Sequence, residues 1–119
     1  MPTKMPRRTR KVRAKELVVR CDEILEACGH DYAGGVAARQ VKHRGLTVMR
    51  TGPQHPDAFG ATWLLDVWDD QGDGGKKFSV RWNGSAGRVD GEVDLVRLDP
   101  GDWEERLRDG RDGVVVSFR

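Results

Sequence analysis

The stretch from Gly60 to Leu98 restricts the possible folds of this chain more than any other. It reads GATWLLDVWDDQGDGGKKFSVRWNGSAGRVDGEVDLVRL, with apolar and polar residues alternating at period two. Alternate side chains of a strand share a face. Ala61, Trp63, Leu65 and Val67 therefore stand on one side, and Thr62, Leu64, Asp66 and Trp68 on the other. Phe78, Val80 and Trp82 alternate with Ser79 and Arg81, and Val89, Val93 and Leu95 with Asp90, Glu92 and Asp94. The segment from Asp69 to Gly75 is too polar and glycine-rich to pack, so it is a loop. Asn83-Gly84 predicts the next hairpin turn, because both residues accept the positive φ of a type I′ turn. These strands and turns predict an antiparallel sheet.

Helical spacing appears upstream. Leu17, Val18, Cys21, Ile24, Leu25 and Cys28 fall on one face, predicting a helix from about Val12 or Ala14 to Cys28, stopped by Gly29 and covering one sheet face. Ala33 to Val41 reads as a short helix or a loop, Leu46 to Arg50 as a strand, and Thr51 to Phe59, with Pro53 and Pro56, as a loop. A second helix is signalled by Asp99 as N-cap, Pro100 at the first helical position and Asp102 where a capping box places an acid. Trp103 and Leu107 are its buried stripe, Gly110 closes it, and Val114, Val116 and Phe118 make a final strand. The order α-β-β-β-β-α-β predicts an α+β fold, with a mainly antiparallel sheet of roughly five strands and two accompanying helices. Residues 1–13 form a basic, flexible N-terminal arm, and 14–119 a single α+β domain.

The charge distribution suggests what the arm does. Lys4, Arg7, Arg8, Arg10, Lys11, Arg13 and Lys15 put seven positive charges and no acid into the first fifteen residues. The other 104 residues hold 14 positive against 19 negative side chains. A basic arm on an acidic body points to nucleic acid phosphates or another polyanion, contacted through those seven residues without strong sequence preference. The alternative is a protein–protein module, such as an assembly or inhibitor component of a phage or bacterial system, working through the acidic body. Arg outnumbers Lys 15 to 6, and Gly, Asp and Val abound, which fits a GC-rich bacterial genome or a virus of one.

Residues with possible chemistry do not assemble into a catalytic signature. Cys21, Cys28, His30, His43 and His55 lack metal-ligand spacing, and both cysteines fall on the apolar helix face as small hydrophobes. Asp69-x-Gln71-x-Asp73-Gly74 begins like a calcium loop, but Gln71 stands at the third position and Val80 at the twelfth, so it reads as a solvated hairpin loop. Asp90, Glu92 and Asp94 would form a row spaced by about 7 Å on one strand, partnered by Arg81, Arg88 or Arg97 on a neighbour. Trp63 and Trp82 share the apolar face and belong in the core. Trp68 lies on the opposite face, either packed under a helix or exposed as a contact.

The element order resembles the restriction-endonuclease-like core over Gly60 to Trp82. That resemblance implies an Asp ending one strand, here Asp66, and an acid-x-Lys pair on the next, completing a magnesium site. Ser79 and Arg81 occupy the positions of the pair, so magnesium-assisted hydrolysis lacks two of its components. A degenerate or active nuclease is therefore the third reading, and a non-enzymatic binding protein without metal or cofactor the first. No apolar run approaches the ~20 residues of a membrane helix. The basic N-terminus is not followed by the apolar stretch of a secretory signal. Two cysteines in such a chain suggest reduced thiols and a cytoplasmic location.

Overall fold

The period-two pattern does fold as antiparallel strands, six among the described residues, close to the roughly five that the sequence suggested. In the computed structural model, residues 7–31, 37–53, 62–84, 87–89 and 91–109 are described, with the backbone alone for 7–9 and 37. Helix α1 (Arg7–Cys28) leads into β1 (His30–Asp31), β2 (Ala37–His43), β3 (Leu46–Gly52), β4 (Thr62–Asp69), β5 (Lys76–Asn83) and β6 (Asp94–Leu98), followed by α2 (Trp103–Arg108). The strands form one six-stranded sheet in the order β1-β2-β3-β4-β5-β6, each antiparallel to its neighbour. The class is α+β.

Both helices lie on one face of this sheet. Val41 pairs with Val48, Val48 with Val67, and Val67 with Phe78, while Trp63 pairs with Trp82, so one apolar face runs across four strands. Ala14, Leu17, Val18, Cys21, Ile24 and Leu25 of α1 close over it, together with Trp103 and Leu107 of α2. Phe78 and Trp103 stack with ring centroids 5.8 Å apart. The Trp103 indole Nε1 donates to the Asp99 carbonyl at 2.8 Å, and the Trp63 Nε1 to the Gly84 carbonyl at 3.1 Å, so neither polar edge is stranded in the core.

Helix α1 begins at Arg7, ahead of the expected Val12 or Ala14 and inside the stretch expected to be flexible. Apolar periodicity marks only the part of a helix that is buried. Residues 7–13 are dominated by Arg and Lys, good helix formers that extend it ahead of Ala14, where its buried face begins. Ala37 to His43 is strand rather than helix or loop. It is joined to β3 by Arg44 and Gly45, with φ of 49° and 80°, a two-residue hairpin turn with both φ values positive.

Three other expectations are corrected. Asn83-Gly84 does not make a tight hairpin: Asn83 ends β5, the chain rejoins the sheet at Asp94, and Asp94 pairs with Arg81. Val89 and Val93 therefore lie in the connection, and the row of Asp90, Glu92 and Asp94 is not a strand face. Asp94 alone of the three is in β6, Glu92 precedes it, and Asp90 lies outside the described residues. Finally, Asp99 does not cap α2. Gly101 at φ 150° interrupts the backbone, so the cap position falls to Asp102, which makes no side-chain cap hydrogen bond. The Asp99 carboxylate instead accepts from Arg97 Nε at 3.0 Å. The expected strand at Val114, Val116 and Phe118 and the stop at Gly110 lie outside the described residues.

Candidate nucleic-acid interface

The helical start of α1 arranges the basic residues on a rod instead of a loose tail. Arg7, Arg8, Arg10, Lys11, Arg13 and Lys15 all fall within it, and its first turn contains no acid. Lys4 lies outside the described residues, and Arg7 and Arg8 are placed by backbone only. Arg10 and Lys15 are exposed. Lys11 is half-buried, with its Nζ 3.9 Å from the exposed carboxylate of Glu92, too loose a pair to hold it. Lys11, Val12 and Lys15 line one side of a slot of about 190 Å³ whose other side is Glu92 and Val93.

Arg13 behaves differently from its neighbours. Its Nε donates to Glu104 Oε2 at 2.9 Å and its Nη2 to Glu104 Oε1, a bidentate clamp between α1 and α2. Glu104 is buried, and it also holds Arg108 Nη2 at 3.0 Å. The hydrogen bond to Glu104, more than its charge, raises the Arg13 pKa further above its ordinary range. One of the seven residues expected to touch phosphate is therefore a structural tie. Glu104 stands 91 residues away in sequence, and local spacing carries no sign of the pairing.

The opposite face of the sheet, away from both helices, holds Trp68. It is half-buried, with Lys76 Nζ 5.4 Å from its ring centre. It is thus neither packed under a helix nor a fully exposed platform. Beside it, Asp66 accepts from Ser79 Oγ at 2.6 Å and has Lys76 Nζ at 3.4 Å. The acid that the nuclease resemblance would use is occupied by the residue standing where its partner acid would be. Arg81 is exposed on the same face and borders a groove of about 460 Å³ with Thr62, Trp82, Asn83, Glu92 and Asp94.

The remaining candidates take structural places. Cys21 is fully buried in the core, where loss of solvent pushes its thiol far above the ordinary range, and Cys28 is half-buried; neither is in a disulfide. His30 is exposed in β1, His43 is buried in β2 and His55 lies outside the described residues. Among the described residues no three His, Cys, Asp or Glu side chains gather in metal-binding geometry. Asp69, the last residue of β4, is held by Arg106 Nη2 at 2.6 Å and by the Gly72 amide, and Asp73 in the β4–β5 loop by Lys77 and the Gly75 amide. Both carboxylates are engaged by protein donors, as a hairpin loop requires. No protein-family model, curated protein or solved structure matches this chain. The case for function therefore rests on the physical chemistry of α1. Among the described residues no helix is long and apolar enough to cross a membrane.

Proposed function

We propose that this is a small, non-enzymatic binding protein whose α1 N-terminal half engages nucleic acid phosphates. The carrying observation is a helix whose first nine residues include six cations and no acid, with Arg10 and Lys15 exposed. Cations at a helix N-terminus oppose the macrodipole, so this end gains from an anion that neutralises both. The contact set is Lys4, Arg7, Arg8, Arg10, Lys11 and Lys15, with Arg13 withdrawn into the Glu104 clamp. Such contacts follow the phosphate backbone and carry little base preference. Two cysteines, neither in a disulfide, favour a reducing compartment, which we take to be the cytoplasm. The net acidity of the rest of the chain works against a polyanion everywhere except at this end.

The test is duplex binding measured from 50 to 200 mM salt. Each phosphate contact contributes about −0.9 to the log–log slope. Changing Arg7, Arg8 and Arg10 to Ala should flatten the slope by about 2.7, on any sequence. Arg13→Ala should instead lower stability and leave the slope unchanged to within about half a unit. Absence of binding at 50 mM salt would remove the proposal and turn attention to a protein partner.

A further inference from the structure

Helix α1 has a second surface, which shares only Lys15 and position 8 with the phosphate contacts. Val12 and Val19 are 55% and 50% exposed, two of the three large apolar side chains that are half exposed or more among the described residues. They are seven residues apart, two turns of helix, and so lie on one outward stripe. Between them stand Lys15 and Glu16, both exposed and neither in an ion pair with another described residue. The stripe is also polarised. Positions 8 and 15 on it are basic and positions 16 and 23 acidic, whereas Arg13 turns to Glu104, and Asp22 and Glu26 to Arg50.

We infer that this stripe docks against the same stripe of a second copy of the chain, the two α1 helices running antiparallel about a two-fold axis between residues 15 and 16. That axis sets Val12 against Val19 of the other copy, Lys15 against Glu16, and position 8, an Arg, against position 23, a Glu. A two-fold contact repeats each pairing twice. A parallel arrangement would place cation on cation over the first half and acid on acid over the second, and the opposed macrodipoles also favour the antiparallel one. Valines are small enough for the axes to approach to about 8–10 Å. One helix face is a modest area, below the ~1,200 Å² of stable complexes, so the dimer is weak and reversible. It engages Lys15 and position 8, leaves Arg7, Arg10 and Lys11 clear, and does not depend on nucleic acid binding.

Sedimentation equilibrium of the nuclease-treated full chain at low salt tests this. A concentration-dependent dimer is expected. Lys15→Glu and Glu16→Lys should each weaken association about tenfold, because each turns two attractive pairs into repulsive ones. The double variant Lys15→Glu/Glu16→Lys should recover it to within about threefold. In a Cys28→Ser background, mixing Val12→Cys protein with Val19→Cys protein should give the mixed disulfide faster than either forms its own. A chain that stays monomeric at about 1 mM would overturn the inference, since even weak contacts of this class populate there. Failure of the charge swap to restore association would do the same, as would a dominant Val12→Cys homodisulfide, which reports parallel helices. If a single charge variant proves unfolded by circular dichroism, the cysteine pairing in the wild-type charge background still decides.

Discussion

Replacing Glu104 by Gln keeps the volume of the side chain and removes the charge that ties α1 to α2. Glu104 is 6% exposed and receives Arg13 through both Nε and Nη2, with Arg108 Nη2 at 3.0 Å. Hydrogen bonds to a charged group contribute about 1.5–3 kcal/mol and neutral ones about 1, so weakening the two Arg13 bonds costs about 1 kcal/mol each. The Arg108 pair adds at most a few tenths, since that side chain is 48% exposed and screened by solvent. The sum is about 2 kcal/mol, which urea denaturation would register as a midpoint lower by about 1–2 M. A cycle with Arg13→Met separates this pair from the rest of the site, and its coupling energy should be about 1.5–2 kcal/mol. A coupling below about 0.5 kcal/mol would refute the clamp and return Arg13 to the exposed cations of α1.

Trp103→Ala should destabilise the protein by about 3–5 kcal/mol in chemical denaturation, because the ring is 1% exposed and stacked on Phe78; a loss under about 2 kcal/mol would mean that the cavity collapses. Asp99→Ala should change stability by less than about 0.5 kcal/mol, as it removes only a surface pair with Arg97, whereas a loss near 1 kcal/mol would reinstate Asp99 as the cap. Burial, then Arg20 and Arg44, hold His43 below its ordinary pKa, against hydrogen bonds that its ring donates to the Leu107 and Arg106 backbone. The folded state therefore prefers neutral His43, and its contribution is complete above about pH 6.5 and lost as pH falls through the lowered value. His43→Gln should flatten thermal stability between pH 5 and pH 7 while leaving a second loss below about pH 4, where Asp69 and Asp70, lowered mainly by Arg106 and Thr47, are protonated.

The period-two alternation of Trp63, Leu65 and Val67 and of Phe78, Val80 and Trp82 determined by itself that this chain forms antiparallel strands with a defined buried face. The spacing of Leu17 to Cys28 determined equally that one helix covers it. Both signals are local, since a side chain's position on a strand or helix follows from its offset to near neighbours. The seven basic residues were legible in the same way, as composition. Tertiary structure decided what each of them can do. Arg13 and Arg10 are indistinguishable in sequence, yet one is clamped by a carboxylate 91 residues away and the other is exposed. The connection after Asn83 and the start of α2 were decided there too. The Trp63 indole holds the carbonyl of Gly84, 21 residues away, and Trp103 stacks on Phe78, so long-range packing of aromatic rings outweighed the local turn and cap preferences. Turn and cap signals contribute about 1 kcal/mol each, and burying a tryptophan contributes several times that.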